Sequence, residues 1–157
     1  MRYRWLRVLA CKEMSSEQPQ RPQIPQDMHA FNQRLIVEFR ANQGQLSGQM
    51  AGAKVMLLTT TGAKSFAERT VVVGYRPFGD KFAVIASNNG APGSPRWFAN
   101  LRANPVATVE VGTEKFQVKA RVAEGEERAE AARVIDYLER QQALTSREIP
   151  IVVLEKI

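Results

Sequence analysis

One cysteine and one histidine in 157 residues remove several chemistries at once. Cys11 alone cannot form an internal disulfide or a cysteine-rich metal site, so the fold must hold by its own core. His29 alone cannot build a zinc cluster of the His-ligated kind, and no metal site is expected. A Ser-His-Asp triad would have to use His29, which lies at the start of a predicted helix beside a tail, a poor place for a rigidly held base. No apolar run approaches the ~18 residues that a membrane helix needs. The GxxxxGK[ST] spacing of a Walker loop is missing, and no internal repeat is visible.

What is present describes one ordinary soluble domain. The chain carries 44% apolar and 24% charged residues. Twenty-two Lys+Arg against 16 Asp+Glu give a formal charge of +6. A basic surface favours anionic partners: nucleic acid, anionic lipid or a polyanionic cofactor; plain solubility is the alternative. The basic residues are scattered, with no stacking-aromatic motif beside them, which speaks against nucleic acid.

Residues 1–27 read as an extension, disordered or non-native, and 28–157 as the domain. Residues 1–12, MRYRWLRVLACK, are basic and amphipathic but too short and too charged for a signal-peptide core. They are either a loose tail, with Met14 or Met28 as the true start, or a contact with an anionic membrane surface. The latter fits a cytoplasmic protein peripheral to the inner face of the membrane. Residues 15–26 hold three prolines and no helix or strand period.

From Asp27, a helix cap, Met28, Phe31, Leu35 and Phe39 recur at helical spacing to about Arg40. Strands are predicted at 55–60, 70–75 and 82–87, the last two joined as a hairpin by the turn at 78–81. Ser94 caps a helix with Pro95 at its first position, running through Trp97, Phe98 and Leu101. Strands at 106–111 and 115–122 pair around Gly112-Thr113. A helix spans 126–142 with Ala132, Ile135 and Leu138 inward, and a last strand covers 149–154. About six antiparallel strands with few helices predict an α+β, mainly β fold: a small split barrel with helices packed outside.

Two loops hold the chemistry. Residues 60–69, TTGAKSFAER, offer a glycine, hydroxyls, Lys64 and Arg69 between two strands. They are either an anion-binding nest or a hairpin loop with solvated charges. Residues 87–97, SNNGAPGSPRW, follow a strand and open a helix whose N-terminus favours negative charge. Trp97 is either a flat wall for a planar ring or core packing.

The runs LLTTTGAKS…R, GDKFAVIASNNGAPGSPRWFANLRANP and TSREIPIVVLE, with the Glu38-Phe39-Arg40-Ala41-Asn42 helix, resemble the deazaflavin-dependent nitroreductase family over roughly residues 28–157. Its members are split-barrel, FMN-binding-like reductases that use coenzyme F420. The resemblance implies that Lys64 and Arg69 hold the cofactor phosphate, flanked by Ala63 and Ser65. Residues Thr70, Val71, Val72, Val73 and Gly74 would run along the deazaflavin, and Ile85, Ala86, Ser87 and Asn88 would contact it. Arg96, Trp97, Phe98, Ala99 and Asn100 would cover the cofactor and its tail. Ser87 and Tyr137 are the candidate catalytic residues.

Because the cofactor itself donates the hydride, the protein needs no nucleophile, and the shortage of histidine and cysteine fits. The expected activity is hydride transfer from reduced F420 to an electron-poor small molecule, such as a quinone, nitro compound or activated enone, by a homodimer. Alternatives are an FMN-dependent enzyme on the same barrel and a non-catalytic cofactor or lipid carrier. The chain departs from the family at Phe66, where glycine is usual, at Val72-Val73, where Pro-Leu is usual, and at Gln141, where a tyrosine often stands.

Overall fold

The computed structural model describes residues 28–157. The expectations for residues 1–27, the Asp27 cap and the membrane contact among them, lie outside the described residues. Helix α1 (Met28–Ala41) precedes strands β1 (Val55–Thr61), β2 (Glu68–Gly74), β3 (Arg76–Phe78) and β4 (Lys81–Ile85). Then come α2 (Arg96–Ala103), β5 (Val106–Val111), β6 (Glu114–Val122), α3 (Gly125–Val134), α4 (Leu138–Gln142) and β7 (Ile151–Lys156).

All strand pairings are antiparallel, in the order β2-β1-β5-β6-β7-β4-β3. The sheet curls until β2 lies against β4. No ladder joins them, so the barrel is split, as expected.

Strand alternation explains the layers. Val55-Met56-Leu57-Leu58 reads as an unbroken apolar run because both faces of β1 are covered. Val55 and Leu57 pack with Ile36 and Phe39 of α1. Met56 and Leu58 point into the barrel, with Val84, Val109, Val152 and Leu154. Trp97, Phe98 and Leu101 of α2 join that interior cluster. The other faces of β4 and β7, through Ala83, Ile85, Ile151 and Val153, pack on Ala131, Ile135 and Leu138. Each fully buried aliphatic side chain contributes about 1.5–3 kcal/mol.

Five expectations are corrected. There are seven strands among the described residues, not six, because Arg76–Phe78 forms its own strand. That strand, not residues 70–75, is the hairpin partner of β4. Residues 68–74 pair with β1 instead. Pro77, which has no N–H to give, is tolerated because β3 is an edge.

The helix expected at 126–142 is broken at Ile135, whose backbone (φ −100°, ψ 88°) is not helical. The break lets Ile135, Tyr137 and Leu138 all pack on one cluster. A continuous helix would set neighbours about 100° apart. Pro95, not Ser94, occupies the cap position of α2, without a side-chain cap. The last strand begins at Ile151: Pro150 has no N–H to give the ladder, although its carbonyl still accepts from Ala86 N–H at 3.0 Å.

Candidate active site

The β1–β2 connection is a tight hairpin tip. Gly62 N–H donates to the Ala67 carbonyl at 2.8 Å, Phe66 N–H to the Gly62 carbonyl at 3.0 Å, and Ala67 N–H to Ser65 Oγ at 3.2 Å. A Cβ at position 62 would stand 2.5 Å from Ser65 Oγ, which explains the glycine. The tip is pinned to α2. Ala63 N–H donates to Asn100 Oδ1 at 3.0 Å, and Asn100 Nδ2 donates to Thr60 Oγ1 at 3.1 Å. Asn100, expected on the cofactor, also acts as a strut joining the 60–69 loop to α2.

Lys64 and Arg69 are exposed and form no ion pair among the described residues. Register places Arg69 opposite Thr60, Val71 opposite Leu58 and Val73 opposite Met56. Directly opposed residues of an antiparallel pair share a face. Arg69 therefore leaves the sheet on its barrel-inner face, at the rim, in line with Val71 and Val73.

The same alternation divides the set 70–74. Val72 packs on α1, away from the barrel interior, and Thr70 Oγ1 pairs with Thr59 Oγ1 at 2.7 Å. Sequence reasoning missed Asn32. Its Nδ2 donates to the Thr70 carbonyl at 2.9 Å and its Oδ1 accepts from Val72 N–H at 3.4 Å, covering part of the free edge of β2. Only a lone polar residue on a mostly apolar helix face hinted at it.

Phe66, where the family resemblance points to glycine, has a left-handed backbone (φ 60°), the region that favours glycine. It is 74% exposed, so it does not crowd the tip. The strain costs about 1–2 kcal/mol.

On the second loop, Ser87 is half-buried with φ −82° and ψ −30°. Asn88, Asn89 and Gly90 follow with φ of 50°, 53° and 77°, three left-handed residues in succession. Ile85 points to the helix layer and Ala86 to the barrel interior. On α2, Arg96 and Ala99 are exposed. Trp97 and Phe98 are buried in the core, their rings edge-on at 6.4 Å between centroids. Core packing is thus the role the geometry gives Trp97.

Tyr137 lies beside β2: its hydroxyl would be 3.5 Å from a Cβ at Gly74. Arg76 stacks on its ring at 4.7 Å and pairs with Asp136 at 2.9 Å. The Tyr137 hydroxyl is buried and without a hydrogen-bond partner, as is Gln141 Oε1, one turn further on. Burial, the largest influence, pushes the phenol pKa up; the nearby Arg76 charge pulls the other way. The hydroxyl therefore stays a protonated donor. Buried polar atoms are normally satisfied, so these two stand out among the described residues.

The family model described as F420H(2)-dependent quinone reductase matches residues 32–156. The chain belongs to this family of F420H2-dependent quinone reductases. An F420H2-dependent quinone reductase of Mycobacterium tuberculosis is 35% identical over 127 residues, covering 75% of this chain and 85% of the relative. Among solved structures, an F420-H2 dependent reductase (FDR-A) is 36% identical, with TM-score 0.57, over 65% of this chain and 94% of that one. A structure described as a domain-swapped dimer is 32% identical, with TM-score 0.60, over 78% and 93%.

The protein is an oxidoreductase dependent on reduced F420, and the FMN alternative finds no support. A pyridoxamine 5'-phosphate oxidase-like protein of Listeria innocua, at 14% identity and TM-score 0.50, shares the fold alone. No helix among the described residues is long and apolar enough to cross a membrane.

Proposed function

We propose that this F420H2-dependent reductase passes its two electrons to a quinone, with the cofactor phosphate at the β1–β2 tip and the acceptor on the Tyr137 side. The observation that carries the reading is the hairpin tip, pinned to α2 by Asn100 and carrying two exposed cations, Lys64 and Arg69, without an ion pair among the described residues. Arg69 suits a phosphate through two parallel hydrogen bonds and Lys64 as a point charge. F420H2 supplies the hydride, so the chain's task is to place, shield and protonate.

Val71 and Val73, on the barrel-inner face, exclude water from the ring. Ser87 gives a polar contact to ring or acceptor. Quinone reduction takes up a hydride and a proton, and the Tyr137 hydroxyl, buried without a partner among the described residues, would donate a hydrogen bond to the acceptor's carbonyl once the acceptor reaches it. The exposed first turn of α2, with Arg96 and Ala99, covers the cofactor tail. The quinone reductase relatives support this acceptor over a nitro compound or an enone. The dimeric neighbour supports a homodimer. Residues 1–12 would hold the enzyme at an anionic membrane surface, where lipid-soluble quinones reside.

Tyr137→Phe tests the acceptor side. With no hydrogen bond lost, stability should be unchanged or about 1 kcal/mol higher, while kcat for quinones drops and F420 affinity holds. Wild-type turnover in this variant would remove the tyrosine from the mechanism. A protein that binds F420 yet reduces no member of a quinone panel would overturn the acceptor class.

A further inference from the structure

Arg147, on the stretch between α4 and β7, is half-buried and meets no carboxylate among the described residues. Its guanidinium is spent instead on the segment that carries Ser87. Nε donates to the Ala91 carbonyl at 3.0 Å. Nη2 donates to the carbonyls of Ala86 at 3.1 Å, Ser87 at 2.9 Å and Gly93 at 3.2 Å. Nη1 reaches Ser94 Oγ at 3.4 Å. The carbonyls of Ala86 and Ser87 stand before the three left-handed residues, and those of Ala91 and Gly93 stand after them.

A run of left-handed residues persists only where its surroundings over-determine it. One planar cation gripping both ends of the turn is such a surrounding. The arginine's own backbone is fixed in turn: Gln142 Nε2 donates to the Arg147 carbonyl at 2.6 Å, and Gln142 Oε1 accepts from Ile149 N–H at 3.0 Å. Gln142 ends α4, the helix that Tyr137 begins, so one polar chain links the Tyr137 helix to the Ser87 segment.

We propose that Arg147 is a positioning residue that fixes Ser87 for hydride transfer by clamping the carbonyls on both sides of the 88–90 turn. The inference rests on the role given to Ser87 above. Arg147 is not itself catalytic, because its donors are taken up by carbonyls. A lysine keeps the charge but has one nitrogen on a flexible stem and cannot span both sides of the turn.

The test compares wild type, Arg147→Lys, Ser87→Ala and the double variant, with F420H2 and menadione as substrates, alongside F420 affinity and near-UV circular dichroism. R147K should fold and bind F420 within about twofold of wild type, with kcat reduced about tenfold or more. A residue that acts only through Ser87 adds nothing once Ser87 is gone, so the double variant should lie within about twofold of S87A.

Wild-type kcat in R147K overturns the proposal, as do losses that multiply in the double variant. An R147K protein that no longer folds also overturns it, since the arginine would then hold the whole fold. Wild-type kcat in S87A removes the Ser87 reading itself, a result separable from an impaired S87A beside an intact R147K.

Discussion

Replacing Lys64 and Arg69 by alanine probes the electrostatic basis of cofactor binding. Each side chain is exposed and forms no ion pair among the described residues, so its loss should disturb the described fold little. Stability should move by less than about 0.5 kcal/mol, or about 2 °C in Tm for a domain of this size. A hydrogen bond to a charged group contributes about 1.5–3 kcal/mol. Each variant should therefore raise the F420 dissociation constant about 10- to 150-fold.

If both residues touch one phosphate, the losses will not add in the double variant. Arg69→Lys should fall between wild type and Arg69→Ala, keeping charge but losing the two-pronged contact. Raised salt should weaken wild-type binding more than that of the double variant, because screening acts on the charges that remain. Fluorescence titration with F420 at two ionic strengths, beside thermal melts, reads all of these. Unchanged affinity would refute the reasoning. A loss of affinity matched by a fall in Tm would show that the tip had been disrupted rather than discharged.

Two further predictions concern stability. Gly90→Ala forces a side chain onto a backbone at φ 77° and drives its Cβ into Leu144. The cost should be about 2–4 kcal/mol in chemical denaturation, and Leu144→Ala should not relieve it, because alanine keeps the Leu144 Cβ that the new Cβ would strike; equal stability would refute the close approach. Glu110 takes two hydrogen bonds from Arg40, at 3.1 and 2.8 Å. Those bonds, the largest influence, lower its carboxyl pKa against the opposing effect of burial. A carboxyl whose folded pKa is depressed stabilises above its unfolded pKa and loses that contribution as pH falls through the folded one. Glu110→Gln should thus cost about 1 kcal/mol at pH 7, and by urea unfolding that gap should shrink as pH falls below the ordinary carboxyl range; a gap that does not shrink with falling pH would assign the loss to packing.

The residues alone determined much of this protein. The run at 55–60 reads as a mostly apolar strand, residues 115–122 as a strand that alternates, and 60–69 as a polar loop between strands. These are local patterns, and each leaves a period in the chain. The family resemblance rested on the same short runs, and it carried the barrel and the cofactor.

What the tertiary structure decided involves partners far apart in sequence. Val72 looks like its valine neighbours, yet register turns it toward α1 and leaves Val71 and Val73 inside. Arg76–Phe78 is too short to show a strand period and becomes a strand only because β4 offers it an edge. Ile135 breaks a helix that its sequence permits, since three neighbouring side chains gain more from packing than the helix loses. Asn32, Asn100 and Arg147 reach backbone groups 37 to 61 residues away. A side chain's choice of a distant carbonyl leaves no periodicity to read, because it exists only once the sheet has curled and brought the loops together.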